Sequence, residues 1–247
     1  MPQTLGVESF ERSGYFTWKS PDGSERIVID CGPPAADYNM AHAHCDVLSY
    51  ELWIGGRPLV VDSGVHGYDG DPFREYCRST RAHNTVSLDG REQSEFWGTF
   101  RVARRAEVLG AEATGDLHWF KFMGSYSPFY DRGLRHEREI RREENGDWVV
   151  TDSVTGIGKC RSESFVHLHP DVVVREMDDK QIELVLGELV LIVEPFGSSN
   201  AGIVIGREEP AQGWYFPDFG VALPAATIEF TYDVRADGPF GYKIRRG

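Results

Sequence analysis

The run REIRREENGDWVVTDSV, Arg138 to Val154, constrains the fold more than any other stretch. Two alternating segments flank Asn145-Gly146, a dipeptide that accepts the positive φ angles of a tight hairpin. Similar punctuation recurs. Gly55-Gly56 separates HAHCDVLSYELWI from RPLVVD, and Asp89-Gly90 interrupts NTVSLDGREQ. ERIVID (25–30) alternates and stops at Gly32-Pro33-Pro34. DVVVREM, QIELVLGELVLIVEPF, AGIVIG and ATIEFTYDV are rich in β-branched residues and read as further strands. No window of a dozen residues or so holds a helical period. Repeats, low-complexity tracts and linkers are absent. The expectation is one all-β domain over residues 1–247, a large antiparallel β-sandwich of stacked sheets.

A chain of 247 residues with 40% hydrophobic composition suffices for a substantial core. No run approaches the roughly 18 apolar residues that would span a bilayer, so no membrane partner is expected. The net charge of -13 argues against nucleic acid as a partner, which needs a basic field. One window runs the other way. Arg74 to Arg105 holds seven arginines against four acids, read either as a basic patch or as a solvated strand face. Cys31, Cys45, Cys77 and Cys160 form no CxxC pair and read as reduced structural thiols. The start, MPQTLGVESFERSG, lacks a signal peptide's basic and apolar segments. That start leaves localisation open.

The chemistry concentrates in AHAHCDVLSYELWIGGRPLVVDSG, Ala41 to Gly64. On a strand, side chains two apart share a face, so His42, His44 and Asp46 would project together. Asp62 ends the partner strand, and His83 precedes another strand in RSTRAHNTV. Two histidines and a carboxylate form an ordinary zinc set with an open fourth position. The alternatives are a hydrogen-bonded structural histidine for each ring, a turn-forming role for Asp62 and a capping role for Asp46. HxH also opens the metal motif of cupins, small β-barrels in which a glutamate follows by four or five residues. Leu48 and Ser49 stand there, so that reading lacks its third ligand.

AHAHCDVLSYELWIGGRPLVVDSG, followed by YCRSTRAHNTVSLDGREQSEFWGTFRVARRAEV, resembles the C-terminal β-domain of the heparinase II/III-like polysaccharide lyases, shared with related alginate lyases. SGYFTW, TDSVTG, FVHLHP and GWYFPDFG extend the resemblance along nearly the whole chain. It implies a histidine facing the substrate cleft at His42. It implies one zinc per chain, held by His44, Asp62 and His83, in a largely structural role. The implied reaction is β-elimination on a uronate-containing acidic polysaccharide, glycosaminoglycan or alginate.

In that family a tyrosine and a carboxylate-neutralising residue come from an N-terminal α/α-toroid. The present sequence contains no helical toroid, so little or no lyase activity is expected of it alone. Full-length family members are expected to be bacterial proteins of the periplasm or secreted. Arg78 is a candidate for pairing with a uronate carboxylate or sulfate, or for a structural salt bridge. Tyr68 is a candidate for stacking on a sugar, or an ordinary loop aromatic. Asn84 and Gln93 are read as supports of the histidine cluster. His167 and His169, a second HxH, lack an evident carboxylate partner. A non-catalytic carbohydrate-binding module and a cupin-like metal enzyme are the alternative functions.

Overall fold

The computed structural model describes residues 5–247 except 69, 157–158, 177–179, 198–199 and 236–237. Five strands form a meander in chain order: β1 (Gly6–Phe10), β2 (Tyr15–Lys19), β3 (Arg26–Asp30), β4 (Ser49–Ile54) and β5 (Arg57–Val60). Phe16, Trp18, Ile27, Ile29, Tyr50 and Leu52 are buried at alternate positions of these strands, the period-2 pattern of a half-buried sheet. Gly55 and Gly56 turn between β4 and β5 at φ 64° and 72°, the conformation a two-residue hairpin loop requires.

A four-stranded sheet contains, in spatial order, Asn200–Ile205, Ala226–Arg235, Lys159–His167 and β6 (Val86–Leu88). The bridge Val60↔Leu168 joins it to the edge of the meander. Both pack on an eight-stranded antiparallel sheet, whose centre holds Leu189–Phe196, Phe240–Arg246, Trp148–Thr155 and Arg135–Arg142. Trp18 meets Trp148 at 5.8 Å and Phe16 meets Phe122 at 5.2 Å across one half of this interface. Phe230–Tyr242 (5.4 Å) and Tyr232–Phe240 (4.4 Å) fill the other half. One continuous core thus unites all three sheets. The layered sandwich matches the expectation and excludes the small barrel of a cupin.

Two turns depart from the simplest reading. Glu143 N–H donates to Asp147 O, so the Asn145-Gly146 loop has three residues and only Gly146 takes positive φ. Asp89 and Gly90 do turn tightly, at φ 52° and 66°. The expected return strand is reduced to a single bridge, Leu88↔Arg91, because β6 pairs instead with Lys159–His167. A short helix, α1 (Arg74–Arg78), and a 3-10 turn at Thr80–Ala82 occupy the Arg74–Arg105 window. The window divides, with Arg74 and Arg78 buried on the helix and Arg91, Arg101 and Arg104 exposed. All four cysteines are buried and free. Among the described residues no helix is long and apolar enough to cross a membrane.

Candidate metal centre

His42 and His44 do not lie on a strand. Residues 41–48 form a sequence of turns, and β4 begins only at Ser49. The alternation in HAHCD was compatible with a strand but could not supply a partner for its backbone. Distant side chains take that role. Arg74 Nη2 donates to Ala41 O (3.1 Å) and Arg78 Nε to Ala43 O (3.1 Å). Thr85 Oγ1 (2.8 Å) and Gln93 Nε2 (3.1 Å) both donate to Val47 O. Arg138 Nη1 donates to Leu48 O at 2.8 Å. Leu48 itself sits at φ 68°, where the chain swings into β4.

His83 enters from the other side, extended after the 3-10 turn. Asn84 fixes its backbone. The Asn84 amide donates to Tyr50 O (2.9 Å) and Val61 O (2.8 Å), and accepts from His167 N–H (2.7 Å). Asn84 O accepts from the same Arg138 Nη1, at 2.5 Å. Asn84 and Gln93 therefore support the cluster through backbone, without touching its rings.

The result brings His44 and His83 together, ring centroids 5.2 Å apart. Ligand atoms of His44, Asp46 and His83 all lie within 4.8 Å of one another. Asp62 Oδ2 lies 2.6 Å from His83 Nδ1, a hydrogen bond. Two carboxylates thus border the histidine pair, where the resemblance implied Asp62 alone. His83 Nε2 is buried and has no hydrogen-bond partner. An orphaned imidazole nitrogen clustered with a second histidine and Asp46, while Asp62 holds the ring's other nitrogen, is a donor set that suits zinc.

Asp30, Asp46, Glu51 and Asp62 also line one cavity of about 230 Å³, with Tyr15 and Tyr50. Burial, then the charge of Asp46, pushes Asp30 up to about 7. Burial and Asp62 push Glu51 up to about 7, and burial raises Asp46. Asp62 departs from this trend. Burial opposes its charge, but His83 outweighs burial and brings it down to about 2. Burial would lower His83, yet Asp62 lifts it to about 9. Burial, reinforced by His83, lowers His44 to about 3.

Below pH 6.5 these shifts oppose one another, because depressed histidines and raised carboxyls give slopes of opposite sign. Above it His83 stands out. Its folded value exceeds its unfolded one, so its contribution is complete below about pH 6.5 and is lost as pH rises towards 9. At about 1.4 kcal/mol per unit, the metal-free chain loses on the order of 3 kcal/mol across that window. Urea denaturation at several pH values checks this, and His83→Gln should flatten the slope. An unchanged slope in the variant would assign the loss to other groups.

The remaining candidates divide. His42 is exposed, with its Nδ1 3.4 Å from Tyr68 OH and the two rings edge-on at 5.5 Å. Tyr68 is 37% exposed and packs at a tilt on Phe219 (5.2 Å), while the Arg74 guanidinium lies 5.0 Å from its ring. Arg78 forms no salt bridge among the described residues. It holds Ala43 O, Gly98 O and Thr99 O, and lies over Phe96 at 4.1 Å. His66 is bonded to Asp71. His167 is buried near Thr227, and His169 packs on Tyr215. The residue that the sequence reading missed is Arg138. In RHEREI it shares its phase with His136 and Ile140, the inward side, and that phase was the available signal.

The stacked β-sandwich with its cluster of histidines and carboxylates defines the class of domain, and comparison places it. The family model described as Heparinase II/III-like, C-terminal matches residues 2–243. The chain belongs to that family. It is 27% identical over 165 residues to a heparin-sulfate lyase of Bacteroides stercoris, spanning 64% of this chain and 22% of that protein. It is 30% identical over 154 residues to a heparin-sulfate lyase of Pedobacter heparinus, spanning 60% of this chain and 21% of that one. The crystal structure of a heparan sulfate lyase from Pedobacter heparinus superposes with a TM-score of 0.76 at 19% identity, over 100% of this chain and 37% of the other. The fold is therefore shared, and the chain spans about a fifth of the length of the relatives it matches by sequence.

Proposed function

We propose that this chain is the β-domain of a polysaccharide lyase that cleaves uronate-containing polysaccharide by β-elimination. The observation that carries this reading is exposed His42, in contact with Tyr68, two residues before half-buried His44, whose ring meets that of buried His83. In the elimination, the C5 proton leaves to a base, the C4–O bond breaks, a C4–C5 double bond forms, and the departing oxygen takes up a proton. His42, oriented by Tyr68, faces the substrate and exchanges one of these protons. His44, His83 and Asp62 hold one zinc ion, with Asp46 in reach as a further carboxylate. When bound, the metal cross-links the 41–48 loop, the end of β5 and the segment before β6, which adds to folding stability. This wall of a cleft positions substrate only when a second domain supplies the other wall, so little activity is expected of the chain alone. Glycosaminoglycan is the favoured substrate class because both sequence relatives are heparin-sulfate lyases. Alginate is the alternative.

Mass spectrometry of the native chain tests the metal. About one zinc per chain, lost in His83→Ala, is the expected result, and a folded metal-free protein would overturn it. For the reaction, ultraviolet absorbance of the unsaturated uronate is followed with the chain joined to a toroid partner. His42→Ala should abolish the rise while keeping metal and fold. Loss of metal in that variant would mean that the two histidine roles are wrongly divided.

A further inference from the structure

The outer face of the four-stranded sheet carries a second cavity, about 460 Å³ in volume, that shares no residue with the histidine cluster. Cross-strand pairing sets a polar row along its floor. Asn200 pairs with Thr231, Thr231 with Glu163, and Glu163 with Ser87. The neighbouring row is Gly202, Glu229 and Phe165. Hydroxyls, an amide and carboxylates thus lie side by side at strand spacing, a surface suited to the hydroxyls of a sugar.

Charge narrows the ligand further. The three carboxylates of the cavity are already engaged. Glu163 pairs with Arg161 (2.9 Å) and Glu229 with Arg207 (3.5 Å). Glu92 accepts from Thr80 N–H (2.6 Å) and Thr80 Oγ1 (2.7 Å). Arg81 differs. Its Nε donates to Gln212 Oε1 (3.3 Å), and Gln212 Nε2 donates back to Arg81 O (3.1 Å). Gln212 is fully buried, so this reciprocal clasp is rigid. Arg81 forms no ion pair among the described residues, although its charge reaches Glu229. A pre-oriented guanidinium lacking its own carboxylate, in the lining of the same cavity as that polar row, matches a planar carboxylate carried on a sugar.

We infer that this cavity is a second saccharide subsite that binds a uronate unit, with its carboxylate at Arg81 and its hydroxyls along the Asn200–Ser87 row. The subsite stands apart from the metal and from the proposed elimination. That reading supplies only the choice of sugar for the test.

Gly202 offers a clean block. A Cβ built there meets nothing within 4 Å and Gly202 lines the cavity, so Gly202→Tyr is the variant chosen to fill it. The probe is an unsulfated tetrasaccharide of alternating glucuronate and N-acetylglucosamine, titrated calorimetrically into the full chain. The neutral tetramer of N-acetylglucosamine is the control. The uronate probe should bind at least roughly tenfold tighter than the neutral one, the effect of one charge-assisted hydrogen bond. Gly202→Tyr and Arg81→Gln should each weaken it by a similar factor, the first with melting temperature unchanged and the second with a fall of a few degrees, since Gln212 Oε1 loses its partner. His42→Ala and His44→Ala should leave it intact. Absence of binding, equal binding of the neutral tetramer, or indifference to both cavity variants would overturn the inference. Loss of binding in His42→Ala would overturn it too, by placing the sugar in the histidine cleft. Failure of the lyase assay with this binding preserved would count against the proposed reaction alone.

Discussion

Arg138→Ala is expected to lower unfolding free energy by about 3–5 kcal/mol, the usual cost of removing one partner of a buried ion pair. Arg138 and Asp152 are both completely buried on the inner face of the eight-stranded sheet. Arg138 Nε and Nη2 reach the two Asp152 oxygens at 2.8 and 3.0 Å, and His136 Nε2 adds a third bond at 2.8 Å. The variant leaves the Asp152 charge without its counter-ion. It also frees Leu48 O and Asn84 O, which the same Nη1 group holds together. Those carbonyls lie two residues beyond Asp46 and one beyond His83. A second effect therefore accompanies the loss of stability, a fall in zinc affinity as the two segments drift apart. Urea denaturation reads the first and competition with a chelator reads the second. A stability loss below about 1 kcal/mol would show that Asp152 finds another partner.

The other large effect concerns the metal. Zinc in excess is expected to raise the melting temperature of wild type. At a free concentration about a thousand times Kd the gain is about 4 kcal/mol. A chain of this size gains roughly 2–4 °C per kcal/mol, so a shift on the order of 10 °C follows. His44→Ala should abolish the shift, because it removes one of the two imidazoles that meet at 5.2 Å. The carboxylates are separated by the same scan. Asp62→Asn removes the negative charge and one acceptor oxygen beside His83 Nδ1, whereas Asp46→Asn leaves that contact as it is. If Asp62 binds the ion, its variant loses most of the increment and the Asp46 variant keeps it. A wild-type melting temperature indifferent to zinc would overturn the metal reading altogether.

Much of the architecture was legible because strand signals are local. The turn at Gly55-Gly56 needs only two residues that tolerate positive φ, and both adopt it. The alternation in ERIVID reappears as buried Ile27 and Ile29 against exposed or half-buried neighbours. The return strand after Asp89-Gly90 was not legible, since β6 had a longer partner in Lys159–His167, more than seventy residues later. The strand assigned to HAHCD failed for a related reason. Parity says which side chains would share a face, but not whether another strand lies alongside.

At the site, residue types suggested a metal-binding chemistry: two histidines, nearby carboxylates and a third histidine in RSTRAHNTV. Only the folded chain could set their distances. His44 meets His83 because buried arginines, Gln93, Thr85 and Asn84 capture the backbone of both segments. The sequence alone determined an antiparallel β-sandwich, an acidic surface and a metal-capable set of side chains, since each follows from local pattern or composition. Tertiary structure decided which carboxylates border the histidines, that Arg74 and Arg78 lie inside, and that Arg138 ties the two halves of the site together. Those outcomes depend on long-range hydrogen bonds from side chains to irregular backbone, and such bonds leave no period in a sequence.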